Sequence, residues 1–356
     1  MAETPVELVS RAIYGREQAL SRVSAALDQV RNGHGLTLLL SGEAGIGKSR
    51  VANQIAEDAA VAGSQVLRAV VYEQDRNYPN TVLVDLLRTY IDCAPAAAAD
   101  TLAPIAADVL RLLPDARSLF GPPGAGTGTN AGESDRRQLF AAAASALTSG
   151  DEPLVLVVED LHWADNASLD FLLVLARAVS SCHVLLVLTY RHDEAEPALS
   201  RFLVELDRQR LAREVRLERL ERVHVEAMVR DILGRSGVVR PDFVHALHAR
   251  SDGHPFFVEE LLRSTLADGR GIALDTLRLD ELPIPRSVQD AVRTRAALLS
   301  TEALRLLQLA AVIGMRFDFE LLGAVSGLRD DEMLSQIKEL VLRGLVTEQD
   351  EDVFAF

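Results

Sequence analysis

Residues 35–49 read GLTLLLSGEAGIGKS. The first seven, through Ser41, make a continuous apolar run, the pattern of a strand buried on both faces of a parallel sheet. The next eight, Gly42, Glu43, Ala44, Gly45, Ile46, Gly47, Lys48 and Ser49, fit GxxxxGK[ST]. Glycines let the backbone curl until its N–H groups face phosphate oxygens, and the helix that follows offers the positive end of its dipole. Lys48 is expected to reach the β- and γ-phosphates of a nucleotide, and Ser49 to hold Mg2+. Arg50, next in the same helical turn, joins the binding set. The chain has only two lysines, Lys48 and Lys338, among 37 basic residues, so this motif takes one of them.

Outward from the loop, the hydrophobic pattern predicts helices over 16–30, 48–62, 81–91, 134–147, 168–179 and 201–210. It predicts strands over 65–72, 153–158, 183–190 and 214–217. The Ala- and Leu-rich stretch 93–119 reads as helix, and 121–132 (GPPGAGTGTNAG) as a mobile inserted loop. Strands alternating with helices predict an α/β fold, a P-loop NTPase parallel sheet. After residue 220 the period changes. Helices are expected at 223–234, 241–251 and 255–267, then a linker at 269–285. Further helices follow at 287–299, 301–313, 319–325 and 330–344, with two strands around an acidic turn in 345–356. The expected domains are a nucleotide-binding α/β domain (1–219), a helical lid with linker (220–283) and a winged helix (284–356).

The apolar run 154–158 delivers Glu159 and Asp160 beside the phosphate loop. One carboxylate is expected to orient the Mg2+ shell and the other to polarise the attacking water. The Glu-Asp order leaves the assignment open. Glu159, first after the strand, is the metal-side choice and Asp160 the water-polarising one. Strand 183–190 leads into Arg191, which either senses the γ-phosphate or pairs with Asp193 and Glu194. Position alone leaves both open.

Together, the phosphate loop, VVEDLHWAD (157–165), LTYR (188–191) and GHPFFVEELL (253–262) resemble the STAND class of signal-transduction ATPases. More narrowly, they resemble the ATPase region of the large ATP-binding LuxR-type transcriptional regulators. The resemblance implies an AAA+-like nucleotide domain with ATP or ADP and Mg2+ as cofactors. It implies that Gly15 and Arg16, in the GRE string, lie near the adenine. It implies that Pro255 of the GHP string packs on the base, with His254 where the family usually has Asn. It makes Arg191 the sensor arginine. It also implies a regulatory role for the winged helix, with DNA read by a further C-terminal domain. The chain stops on a strand before any such domain, so it reads as a fragment or a minimal version.

Composition narrows the classes. With 356 residues, 48% hydrophobic and net charge −15, the chain has the apolar content for large cores and is not disordered. Its apolar runs are too short to span a bilayer, and its N-terminus lacks a secretory pattern, so a cytoplasmic location is expected. Cys93 and Cys182 make no disulfide framework or metal cluster. His245 and His248 lack companion ligands, Trp163 reads as a packing anchor, and the interleaved Arg and Glu of 208–222 as a solvated face. Residues 284–356 hold eight basic and twelve acidic residues, a difference of −4, which disfavours direct DNA binding.

The expectation is therefore an ATP-binding, slowly hydrolysing switch that self-associates in its ATP state and answers to an inducer or regulatory protein. A non-hydrolysing ADP-bound scaffold is the alternative.

Overall fold

The computed structural model describes residues 10, 12–120, 133–233, 239–267, 289, 292–293, 296–297, 299–314, 316–350 and 352–356. The expected inserted loop 121–132, the linker 269–285 and most of the expected helix 287–299 lie outside them. The chain falls into two compact units: Gly15–Glu218, and Met1–Tyr14 with Arg219–Phe356.

The first unit is built on five strands: β1 (Leu36–Ser41), β2 (Gln65–Val70), β3 (Leu154–Glu159), β4 (Val184–Tyr190) and β5 (Ala212–Arg216). They lie in the order β2-β3-β4-β1-β5, and every pairing is parallel. Strand alternation sorts their side chains between two cores. Leu38, Leu40, Val155, Val157, Leu185 and Val187 point to the face covered by α1 (Glu17–Arg31) and α2 (Lys48–Val61). Leu39, Leu156, Val158, Leu186 and Leu188 point to the opposite face. There they meet α3 (Thr81–Cys93) among other helices. Apolar helices on both sides explain why the strands read as unbroken hydrophobic runs.

The stretch 93–119, expected to be helical, is helical in several short segments. It breaks into α4 (Pro95–Leu102), α5 (Ala106–Leu112) and α6 (Arg117–Phe120), joined by short 3-10 turns at Ala103–Ile105 and Pro114–Ala116. Proline lacks the amide that a continuing helix needs, and Pro95, Pro104 and Pro114 each stand in the first turn of a new segment. α7 (Glu133–Thr148), α8 (Asn166–Val179) and α9 (Pro197–Arg208) complete this face, with Phe171 fully buried edge-on to Phe140.

In the second unit, α10 (Arg222–Ile232), α11 (Pro241–Ser251) and α12 (Pro255–Ala267) enclose a core of Val225, Val229, Phe243, Leu247, Val258 and Leu262. The segment before Gly15 attaches here: Tyr14 packs on that core, and the Ser10 hydroxyl donates to Asp231 at 2.9 Å. A separate core, with Leu306, Phe317, Leu322, Ile337 and Phe354, lies among the later elements. These are α13 (Thr301–Ile313), β6 (Arg316–Asp318), α14 (Phe319–Ser326), α15 (Asp330–Leu342), β7 (Thr347–Asp350) and β8 (Val353–Ala355). The three strands form an antiparallel sheet in the order β6-β8-β7. β6 is an addition to the sequence reading, which found only the terminal pair.

No helix among the described residues is long and apolar enough to cross a membrane.

Candidate nucleotide site

The loop between β1 and α2 is held from both ends. Ile46, 1% exposed, drops into the core under α1 and α2. Gly47, the residue before α2, has φ +104°, a conformation that only glycine adopts without strain, and a Cβ there would meet nothing within 4 Å. The requirement at Gly47 is thus one of backbone shape, not space. Glu43, Ala44 and Arg50 are half-buried, while Gly45 and Ser49 are exposed at the loop and the first turn of α2.

Arg16 braces this loop. Its guanidinium, in a residue only 7% exposed, donates to the Ile46 carbonyl at 3.1 Å and to the Gly15 carbonyl at 3.1 Å. Gly15 and Arg16 therefore stand against the phosphate loop itself. The Lys48 ammonium folds back over the loop and donates to the carbonyls of Gly42 (3.0 Å) and Glu43 (2.8 Å). Burial pushes its pKa down to about 8. Arg191 adds to that shift, and Asp160, Asp193 and Glu194 oppose it.

β3 ends in Glu159, whose buried carboxylate accepts from the Arg68 guanidinium on neighbouring β2 at 3.1 Å. Arg68 also bonds the Asn53 side chain on α2. Asp160 turns the opposite way through the left-handed region, φ +62°, and its N–H donates to the Thr189 hydroxyl on β4 at 3.0 Å. Burial raises the Asp160 carboxyl, against the pull of Arg191 and Lys48. Lys48, Asp160 and Arg191 thus share one electrostatic neighbourhood, whereas Glu159 is engaged by Arg68.

Of the two readings of Arg191, this structure has the ion pair: its guanidinium lies 2.8 Å from Glu194. The other Glu194 oxygen faces Nε2 of His162 at 3.6 Å, and Nδ1 of His162 faces Asp160 at 3.8 Å. The His162 side chain is fully buried, and both ring nitrogens lack a hydrogen-bond partner among the described residues. Arg76 holds this turn in place. It donates to the His162 carbonyl at 3.2 Å, pairs with Glu196 at 2.7 Å and lies over the Trp163 ring at 4.5 Å. Trp163 is a packing anchor against the main core, as expected. Asp165 caps α8 through the Ser168 amide (3.0 Å) and also accepts from the Asn80 amide (3.2 Å) and Thr81 hydroxyl (3.2 Å) at the start of α3.

Pro255 belongs to the second unit, where it opens α12. The turn before it is tight: Gly253 has φ +69°, and a Cβ there would come within 2.1 Å of the Leu220 carbonyl oxygen. His254 is 1% exposed and lies on the Phe257 ring at 4.5 Å.

Among the described residues no group of three or more His, Cys, Asp or Glu could hold a metal ion. The Ser49 hydroxyl and the Glu159 and Asp160 carboxylates are hard oxygen donors. Such a donor set suits Mg2+, which keeps water and takes phosphate oxygens for the rest of its shell. Sequence reasoning reaches Glu194 as a partner of Arg191 but not the contacts of Arg68, His162 or Thr189. Thr189 carried the one usable signal, a polar residue at the tip of an apolar strand beside the acidic one.

Residues 12–188 match the family model of the AAA ATPase domain. Over 341 residues, 88% of the chain, it is 28% identical to an uncharacterized protein of Rhizobium meliloti (strain 1021). The chain spans 31% of that protein's length. The fold is similar to that of the Aeropyrum pernix ORC2 protein, solved in ADPNP and ADP complexes: TM-score 0.55, 15% identity, 97% of this chain and 90% of that one. It is also similar to a Walker-type ATPase of Pyrococcus abyssi, with TM-score 0.52, 13% identity, and 99% and 96% of the two chains covered. The fold is a P-loop, AAA+-like α/β fold on a parallel sheet.

Proposed function

We propose that the chain is an ATP-binding, slowly hydrolysing switch, the ATPase and regulatory portion of a LuxR-type transcriptional regulator of the STAND class. The convergence of Lys48, Asp160 and Arg191 on one phosphate loop carries this reading. Lys48 exchanges its loop carbonyls for the β- and γ-phosphates. Ser49, with Glu159 and Asp160, would hold Mg2+, which when bound supplies Lewis-acid neutralisation of phosphate charge. Asp160 accepts the proton of the attacking water as its oxygen bonds the γ-phosphorus and the bond to ADP breaks. Arg191 leaves Glu194 for the γ-phosphate oxygens. Gly15 and Arg16 shape the loop, and Pro255 is the base-packing residue that the GHP string suggests.

Residues 220–283 serve as lid and 284–356 as a regulatory winged helix. Three helices with a three-stranded antiparallel sheet support the latter. Its −4 balance suits a protein partner rather than DNA. Self-association in the ATP state, an inducer or regulatory protein as partner and a cytoplasmic location complete the reading.

Calorimetric titration with ATP·Mg tests the site. Lys48→Ala is expected to abolish binding, and undiminished affinity in that variant overturns the assignment. The ion pairs Glu159–Arg68 and Arg191–Glu194 favour a second reading, in which ADP is held without turnover. Phosphate release equal to that of an Asp160→Asn control selects the scaffold over the switch.

A further inference from the structure

Arg191 follows the last residue of β4, and the residues on either side of it are held by a strand that is not its neighbour. β1 lies between β4 and β5. Side chains of β5 nevertheless reach across it. Glu214 Oε1 accepts from the Tyr190 hydroxyl at 2.8 Å, and Arg216 Nη2 lies 3.4 Å from His192 Nε2. The same Glu214 oxygen accepts from the Ser41 hydroxyl at 2.5 Å. Ser41 ends β1 immediately before the phosphate loop and pairs with Tyr190 in the sheet. Strand alternation produces the cluster. Val215 points into the core under α1 and α2, so Glu214 and Arg216 leave β5 on the other face, where Tyr190 lies.

We propose that Glu214 is a positioning residue that sets the aim of Arg191 by tying the tip of β4 to the root of the phosphate loop. Arg216 holds the far side of Arg191 through His192. This rests on the nucleotide reading above.

Ser41 and Tyr190 are 0% and 6% exposed, while Glu214 is exposed on the sheet-edge strand. Packing alone asks for no hydroxyl at either buried position. Alanine and phenylalanine fill similar space and leave no polar group to satisfy. Here both hydroxyls donate to one carboxylate oxygen, and hydrogen bonds to a charged acceptor are the strong ones. The phosphate loop has further supports, Arg16 on the Ile46 carbonyl and Ile46 itself in the core. Arg191 is fixed in this structure by its pair with Glu194. Once it turns from Glu194 to a γ-phosphate, that pair no longer fixes it. Its direction is then set by its neighbours in the chain, Tyr190 and His192, and so by Glu214 and Arg216. A guanidinium aimed in this way distinguishes a nucleoside triphosphate from a diphosphate, because only the triphosphate offers the oxygens it reaches. Binding of the β-phosphate by the loop does not need the clamp.

The test is a double-mutant cycle read by calorimetric titration with ADP·Mg2+ and ADPNP·Mg2+, which needs no turnover. Arg191→Ala is expected to lower the preference for ADPNP over ADP about tenfold, the scale of one charge-assisted hydrogen bond. Glu214→Leu should lower the same preference about fivefold or more, with ADP affinity within about twofold of the parent. Glu214→Gln keeps an acceptor oxygen and should stay within about twofold of the parent's preference. Added to Arg191→Ala, Glu214→Leu should change the preference by less than about twofold, because no guanidinium is left to aim. If Glu214→Leu fails to fold, Tyr190→Phe, which keeps the ring and deletes the hydroxyl, takes its place in the cycle. An unchanged preference in Glu214→Leu, equal losses for ADP and ADPNP, or losses that multiply in the double variant overturn the clamp and leave the nucleotide site standing. An unchanged preference in Arg191→Ala, or failure of both nucleotides to bind the parent protein, overturns the site reading and the clamp together.

Discussion

Arg68 Nη2 lies 3.1 Å from Glu159 Oε1, so the acid that closes β3 is held sideways by the adjacent strand β2. Arg68 is 40% exposed while Glu159 is 9% exposed, an ion pair with one wet end. Solvent screening limits such a pair to roughly 1 kcal/mol. Arg68→Met should therefore leave unfolding stability within about 1 kcal/mol of the parent. It should also free Glu159 for Mg2+. About 1 kcal/mol is about fivefold, so the Mg2+ concentration for half-maximal phosphate release should fall by up to about fivefold. A Mg2+ titration at fixed ATP measures it.

The lowered pKa of Lys48 has a defined sign. Its folded value, about 8, lies below the unfolded 10.5. Below pH 8 the fold carries a buried ammonium at a cost on the order of 3 kcal/mol. That cost is relieved as pH rises from about 8 to 10.5, where the unfolded chain binds more protons. Phosphate binding needs the charged form. ATP affinity should accordingly fall above pH 8, and binding near pH 8.5 should take up a proton. Calorimetry in buffers of different ionisation enthalpy reads that proton directly.

Asp165 joins the starts of two helices through four accepted hydrogen bonds, from the Ser168 amide and hydroxyl, the Asn80 amide and the Thr81 hydroxyl. Asp165→Ala removes a cap and strands buried donors, at a cost of about 2–3 kcal/mol. Urea unfolding should show this loss. ATP affinity under folding conditions should be unchanged, because Asp165 contributes to the scaffold and not to the loop.

Thr189 is fully buried and accepts the Asp160 amide. Thr189→Val keeps the shape and deletes the acceptor, costing about 1–2 kcal/mol of stability. Asp160 then loses its backbone tether. Steady-state kinetics should show phosphate release reduced in kcat, with KM for ATP nearly unchanged, as expected for a residue that positions the acid.

Much of this was legible in the chain. The apolar run before Gly42 and the glycines around Lys48 specify strand, loop and helix without tertiary help. The unbroken character of 154–158 and 184–188 already implied a sheet covered on both faces. Other features depend on distance in sequence. Arg68 meets Glu159 across 91 positions because β2 and β3 pair in one particular register. β6 has three residues, too few for a period, and exists because Arg316–Asp318 pairs with Val353–Ala355. Pro95, Pro104 and Pro114 mark the breaks between the short helices after Cys93. The surroundings of His162 come in part from residues far away in sequence, Arg76 and Glu194.

The left-handed turn at Asp160 has a consequence for the order of the two acids. Among residues other than glycine, short Asp and Asn tolerate positive φ best, since their side chains bond locally. Longer side chains fare worse there. A Glu-Asp pair puts the short acid on the strained peptide unit and the long one on the regular strand end, where the extra methylene reaches Arg68. Reversing the pair to Asp-Glu would place the longer side chain at φ +62°. The sequence of the two acids thus follows from main-chain conformation, and relatives that retain this bend should accept Asp, Asn or Gly at position 160 before any other residue.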